Sequence, residues 1–395
     1  MKLKKFFAGV LAAAMMLTVG ATAAFATAPD KISVPGADGN AKMFQTGDAI
    51  LTLTKSLKVE NGTAPDEMEF TFSVADSSNT VVAGATTAAE FEAGQDKEIK
   101  AFVAGKTYTA NFTVNIEKLL GETKKKTVGE YTYTLSEDTV KYPGVSANDS
   151  ALTMKITVVN QLDDQKQPIA DSYGYYVALY RDGNKIEAKD AFKNTYDSKS
   201  LTLSKTVHGA LADLSKDFTF TIKFTKDTGV EDNNLYKGPQ VGTLGTNVSI
   251  KPEGIETTLA VNTYLELDKP YTVSLRHNGS LELSNLPAGI KYEVFEDGSE
   301  VSGSDVVLNT TNTSGQSVKY VVTVENATFD AGKKTVSGQI NKENPANVTT
   351  AFHNTNNAEP DMGVVLDNAP YIAMLAIVAI GGVALMLNKR RRDEE

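Results

Sequence analysis

The sequence predicts an all-β protein: two tandem β-domains held between a secretory leader and a C-terminal membrane-spanning helix. Three observations carry this expectation. Thr, Val, Tyr and Phe alternate with polar residues through most of the chain, interrupted by Gly, Asn and Asp, the period-two pattern of half-buried strands bounded by turns. The pattern repeats: AILTLTKSLKV and EMEFTFSVA return as SLTLSKTVHG and KDFTFTIKF, GEYTYTLSE returns as GIKYEVFE, and DAFKN returns as TAFHN. Both ends carry apolar runs beside basic residues. Composition narrows the function. The 395 residues include no Cys, no Trp and three His, with 39 Lys and Arg against 49 Asp and Glu. Disulfides and thiol chemistry are excluded. A net charge of -10 argues against binding the phosphate backbone of nucleic acid.

Residues 1–26 read as a signal peptide. Lys2, Lys4 and Lys5 form a charged start, Phe6 to Val19 an apolar run, and Ala24-Phe25-Ala26 a small-residue cleavage site, so cleavage is expected after Ala26. A segment at 27–47 leads into β-domain 1 at 48–197 and β-domain 2 at 198–356. Asn115 to Leu120 is the best helical candidate, and it is short. The last strand of domain 1 runs almost directly into the first of domain 2 between Tyr196 and Ser200, which implies a stiff connection. A linker at 357–363 precedes a transmembrane segment at 364–388. There, Ala369 to Leu387 gives 19 uncharged residues, enough to cross a bilayer as a helix. Lys389, Arg390, Arg391 and Arg392 open a basic tail, 389–395, that is expected to stay cytoplasmic and leave the rest outside. Between leader and anchor, residues 27–363 hold 32 basic and 45 acidic side chains, a charge of -13.

Three polar residues sit on apolar faces in both repeats. Residues two apart on a strand share a face. Lys55 thus shares its face with Leu51, Leu53, Leu57 and Val59, and Lys205 with Leu201, Leu203 and Val207. Glu137 lies with Tyr131, Tyr133 and Leu135, and Glu296 with Ile290, Tyr292 and Val294. Asn194 follows Phe192, and Asn354 follows Phe352. The separations are 82 and 57 residues in the first copy, 91 and 58 in the second. Lys and Glu are rarely buried unless paired, and an isolated buried charge neutralises instead. A buried Lys that loses its proton is a nucleophile, and a buried Glu that keeps its proton is a hydrogen-bond donor and proton shuttle. With an Asn carboxamide in contact, the parts of an amide-forming reaction are present: Lys attacks the side-chain carbon, ammonia leaves, and an isopeptide remains. Proximity in a folded core can supply roughly 7–11 kcal/mol of the barrier. The bland alternative is a buried Lys–Glu pair with an Asn hydrogen bond and no covalent step.

These motifs, with LTLTK and LTLSK openings, F-K-N and F-H-N ends and the APYIA membrane segment, resemble the streptococcal pilin isopeptide-linkage family of Gram-positive bacteria. The resemblance covers nearly the whole chain. It implies Ig-like β-sandwich domains, each with an autocatalytic Lys–Asn bond beside a Glu: Lys55–Asn194 with Glu137, and Lys205–Asn354 with Glu296. It implies a structural role as a shaft subunit at the cell surface or wall, not an enzyme, with single-turnover self-modification only. Implied partners are other pilin subunits, a sortase, the membrane through the C-terminal helix, and host surface ligands. The resembling intersubunit acceptor is Lys185, in YRDGNK, beside an Asp182-Gly183-Asn184 hairpin turn. The sorting signal aligns with Glu359, Pro360, Asp361, Met362 and Gly363, with Met362 standing where the family has Thr. The alternative is a surface adhesin of the same domains, anchored but not polymerised. No cofactor or metal is expected: His208, His277 and His353 show no ligand spacing, and no P-loop or nucleophile elbow occurs. The run Lys124-Lys125-Lys126 reads as a solvated loop.

Overall fold

The computed structural model describes residues 49–357 except 147–149, 164, 231 and 344–345, together with a short ladder pairing Val34–Pro35 with Ala41–Lys42. From Ile50 onward the alternating pattern is realised as strands. The N-terminal unit runs through β1 (Ile50–Val59), β2 (Glu67–Phe70), β3 (Phe72–Asp76), β4 (Ala89–Glu92), β5 (Lys106–Asn115), α1 (Ile116–Lys124), β6 (Gly129–Glu137), β7 (Val145–Ser146), β8 (Leu152–Leu162), β9 (Pro168–Arg181), β10 (Asn184–Ile186) and β11 (Phe192–Tyr196). One sheet has the order β5-β1-β11-β7, the facing sheet β10-β9-β8-β6-β3, and β2 pairs with β4 as a separate ribbon. Leu53, Phe72, Phe112, Leu135, Ile156 and Phe192 are buried between them, with the Phe72 and Phe112 rings stacked at 3.7 Å.

The C-terminal unit runs through β12 (Ser198–Gly209), β13 (Phe218–Thr225), β14 (Gln240–Leu244), β15 (Ser249–Pro252), β16 (Pro270–Leu275), β17 (Gly279–Pro287), β18 (Lys291–Glu296), β19 (Ser299–Ser302), β20 (Asp305–Thr311), β21 (Ser317–Glu325), β22 (Val336–Gln339) and β23 (Val348–Asn356). Its larger sheet has the order β14-β17-β12-β23-β21-β20-β19 and its smaller one β15-β16-β13-β18-β22. Leu203, Phe220, Val273, Leu283, Val294 and Phe352 belong to the second core. Among the described residues the regular structure is therefore mostly β, arranged as sheets packed face to face. The expected helix is present as α1, where the Asn115 side-chain oxygen accepts from the Lys118 backbone N–H at 2.9 Å and so caps the first turn.

In each unit the first and last strands are neighbours and run parallel. β1 pairs with β11 in the register Lys55 to Phe192, and β12 pairs with β23 in the register Lys205 to Phe352. A parallel pair cannot be closed by a tight turn, so the rest of each unit serves as the crossover between them.

Only Asp197 separates β11 from β12. The joint is reinforced by Asn285 on β17, which is buried and has a left-handed backbone (φ 58°). Its side-chain oxygen accepts from the Thr63 backbone N–H at 2.8 Å, and its amide nitrogen donates to the Gly238 carbonyl at 2.8 Å. The Tyr196 and Ser198 hydroxyls lie 3.4 Å from the same oxygen. Gly62, at φ 77°, allows this approach: a Cβ there would come within 2.1 Å of Ser198 Oγ and 2.4 Å of Asn285 Oδ1.

Candidate functional site

The strand pattern turns all six singled-out polar residues inward. On β1, Leu53, Lys55 and Leu57 are fully buried in succession, and on β12 so are Leu203 and Lys205, with Val207 beside them. Glu137 and Glu296 close β6 and β18, in the sheet opposite the lysines, and each faces a phenylalanine in register: Phe72 for Glu137 and Phe220 for Glu296. Asn194 and Asn354 lie two residues beyond the phenylalanines that pair with the lysines. Lys and Asn thus come from adjacent parallel strands of one sheet, and Glu reaches across the sandwich to both.

In the N-terminal cluster Lys55 Nζ stands 2.5 Å from Glu137 Oε1, and Asn194 Nδ2 donates to the same oxygen at 3.1 Å. In the C-terminal cluster Lys205 Nζ donates to both oxygens of Glu296 at 3.0 Å, and Asn354 Nδ2 donates to Oε1 at 2.7 Å. The Asn194 and Asn354 carbonyl oxygens have no partner in either cluster. Burial lowers both lysines from about 10.5 to about 8, against the pull of the neighbouring carboxylate. Burial also raises Glu296, outweighing the opposing attraction of Lys205. Each cluster therefore presses toward a neutral amine, and the second toward a protonated carboxyl, the proton arrangement that an attack on the amide carbon requires.

The phenylalanines that complete these sites were not singled out in the sequence, although the repeat carries them. F-T-F occurs at Phe70–Phe72 and at Phe218–Phe220. The first ring of each lies beside the lysine, 4.7 Å from Lys55 Nζ and 4.8 Å from Lys205 Nζ. The second packs on the phenylalanine before the asparagine, Phe72 on Phe192 at 5.1 Å and Phe220 on Phe352 at 5.0 Å. Arg181 was also missed; it has no counterpart motif in the second repeat.

Lys185 is exposed on β10, one residue beyond Asn184, which follows the two-residue turn Asp182-Gly183, whose positive φ values of 49° and 79° fit the expected hairpin. The three histidines, far apart in sequence, gather at one end of the C-terminal unit: the His208 ring lies 6.2 Å from His277 and 6.4 Å from His353. His277 Nδ1 accepts from the Val207 backbone N–H, and among the described residues no group suited to hold a metal ion occurs. Ala26, Glu359 to Gly363 and the 364–388 segment lie outside the described residues, among which no helix is long and apolar enough to cross a membrane.

Each unit of the fold thus places a buried Lys–Glu–Asn triplet against its first and last strands, a β-sandwich class with a polar cluster in its core. Residues 51–197 match the Spy0128-like isopeptide containing domain, and residues 199–356 match a domain of unknown function, DUF7601. A pilin of Streptococcus pyogenes serotype M1 is 30% identical over 266 residues, covering 66% of this chain and 68% of that one. The crystal structure of the major pilin from Streptococcus pyogenes is 24% identical, with a TM-score of 0.44, over 78% of this chain and 98% of that chain. The S. pyogenes major pilin T3.2 is 17% identical, with a TM-score of 0.45, over 78% and 97%. The chain belongs to the streptococcal pilin family. It is a structural pilus protein rather than an enzyme, as its relatives are.

Proposed function

We propose that this protein is the shaft subunit of a cell-surface pilus, built of two Ig-like domains at 48–197 and 198–356, each locked by one internal isopeptide bond. The observation that carries the reading is the doubled contact in each core: a buried lysine amine and a buried asparagine amide meet on one carboxylate. The neutral Lys55 amine attacks Asn194 Cγ while Glu137 hydrogen-bonds the carbonyl and carries a proton from the amine to the departing nitrogen. The Nζ–Cγ bond forms, the Cγ–Nδ2 bond breaks, and ammonia leaves. Lys205, Asn354 and Glu296 follow the same steps. By the entropy of closing a loop, spans of 139 and 149 residues make each bond worth about 5 kcal/mol. Because the bonded strands are the first and last of a unit, tension entering one passes to the other without unzipping the sheets.

Outside the two cores, the reading includes cleavage after Ala26, membrane insertion of 364–388, and sortase transfer of the 359–363 signal to Lys185 of the next subunit. An exposed hairpin lysine is accessible to such an acyl transfer. Met362 favours a second reading, because a pocket tuned to the β-hydroxyl of Thr finds none: a surface protein of the same domains that stays anchored and unpolymerised.

Intact mass spectrometry of residues 27–358 tests the bonds. Two missing ammonia masses are expected, and the unmodified mass would sink the cross-link reading. Ladders of surface protein on denaturing gels, compared with a Lys185→Ala strain, test polymerisation. An unchanged ladder removes Lys185 as acceptor, and a single band in the wild type selects the unpolymerised reading.

A further inference from the structure

Arg181 ends β9 on the sheet opposite Lys55, pairs with Asn184 across the hairpin turn, and is half-buried. Its guanidinium does not meet a carboxylate: among the described residues no acidic group lies within ion-pair distance. The Asp190 carboxylate pairs with Lys193, at 2.5 Å. The guanidinium donates to two backbone carbonyls, Ala191 and, at 3.5 Å, Asp190, while its Nε is buried without a partner. Those carbonyls belong to the 3₁₀ turn (Ala188–Asp190) and the residue after it, which deliver the chain into β11. Ala191 precedes Phe192, the register partner of Lys55, and Asn194 lies two residues further on.

We propose that Arg181 is a positioning residue of the N-terminal cross-link, clamping the entry to the asparagine strand and holding an unneutralised cation behind the lysine. The proposal deepens the isopeptide reading and rests on it. A clamp fixes where Asn194 stands relative to Lys55. An unpaired positive charge disfavours a second one nearby and so favours the neutral amine that attacks. The charged groups acting on Lys55 are Glu137 from β6, which holds its proton on, and Arg181 from β9, which drives it off and adds to the larger effect of burial. At Lys205 only Glu296 acts, with no cation beside it. The C-terminal cluster is therefore an internal control within the same chain.

The test uses the 27–358 chain captured in urea before folding, refolded by dilution between pH 6 and pH 9. Ammonia loss is timed by mass spectrometry after a proteolytic cut that separates the two units. In Arg181→Met the N-terminal bond is expected to form more slowly at pH 7, with its pH–rate midpoint moved up, because loss of the cation lowers the neutral fraction of Lys55 at that pH. The C-terminal bond keeps its wild-type rate and reports that the chain has folded. Arg181→Lys keeps the cation but loses the two-carbonyl fork, so it is expected to restore the midpoint while leaving the plateau rate low. A wild-type profile for the N-terminal bond in Arg181→Met overturns the proposal, as does a slowed bond with an unmoved midpoint in both variants, which is what a merely structural role gives. If the wild-type chain itself loses no ammonia, the cross-link reading falls and this proposal with it.

Discussion

The two clusters use the same three residue types in the same order, yet they hold their charges differently. Lys205 reaches both oxygens of Glu296 at equal distance, with Asn354 on one of them at 2.7 Å and no second cation acting on the lysine. Lys55 meets a single oxygen of Glu137, its asparagine contact is longer at 3.1 Å, and Arg181 adds a second cation. The C-terminal site is thus a symmetric contact, with the amine bonded to both carboxyl oxygens. The N-terminal one is one-sided, with a shorter lysine contact of 2.5 Å to one oxygen and a second cation acting on the amine. Two routes lead to one lysine value near 8: burial against a well-seated carboxylate, and burial helped by a neighbouring cation. The same chemistry does not demand the same surroundings, provided the amine is made neutral.

The largest effect that separates the sites should come from removing one bond at a time. Asn354→Ala and Asn194→Ala each leave one ammonia mass unlost and each remove about 5 kcal/mol from the unit concerned. At a few degrees per kcal/mol for a unit of this size, that is a fall of about 10–20 °C in the corresponding thermal transition, seen by calorimetry. Glu137→Ala and Glu296→Ala should abolish only their own bond. If either abolished both, the clusters would not be independent.

Next in size is the loss of the flanking ring. Phe70→Ala and Phe218→Ala each open a buried site, at a cost of about 3–5 kcal/mol, and each admits water to the amine. Water favours the ammonium, so bond formation should slow in the affected unit. The C-terminal pair, with Phe220 also 5.5 Å from Lys205 Nζ, keeps a second ring over the amine and should lose less rate than the N-terminal one. Equal slowing, read by timed mass spectrometry, would show that the second ring does not shield Lys205.

The lysines also predict a pH dependence, visible once the bonds are prevented. In Asn194→Ala with Asn354→Ala, the folded lysines titrate near 8 and the unfolded ones near 10.5. Between those values the unfolded chain binds more protons, so stability rises with pH through that window, and below about 8 the full burial penalty remains. Glu296, raised by burial, works in the opposite sense, with stability falling as pH climbs through its raised value. Urea midpoints measured from pH 7.5 to pH 10.5 check the lysine slope. Adding Lys205→Met should remove that residue's share, and an unchanged slope would show that Lys205 is not the group responsible.

Much of this was legible in the sequence because strands expose a simple period. Lys55 between Leu53 and Leu57 must be buried if the leucines are, and the repeat made the coincidence of Lys, Glu and Asn hard to attribute to chance. The expected hairpin at Asp182-Gly183 and the short helix after Asn115 follow from turn and cap chemistry that is equally local. What the sequence did not show depends on sheet order. That the Lys and Asn strands are parallel neighbours, that Arg181 reaches the carbonyls before β11, and that three histidines spaced over 145 residues meet at one end are consequences of non-local pairing. No period or spacing encodes them.

The smallest expected effect concerns whether the two sites can be compared as separate units at all. Asn285 belongs to the C-terminal unit but satisfies the Thr63 N–H of the N-terminal one, with the Tyr196 and Ser198 hydroxyls at the same oxygen. Asn285→Ala leaves the Thr63 donor and the Gly238 acceptor without partners, a penalty of about 1–3 kcal/mol for each group that stays buried. The backbone at 285 is left-handed, and Ala tolerates that conformation less well than Asn, so Asn285→Gly separates the lost side chain from the strain. No residue of either cluster bonds to Asn285, so neither variant should change the number of ammonia masses lost. What should change is cooperativity. If the joint couples the units, the wild-type chain melts in one transition and Asn285→Gly in two, the transition containing the Glu137→Ala lesion then moving alone. Two transitions already present in the wild type would show that each cross-linked unit stands by itself and that Asn285 merely orients one against the other.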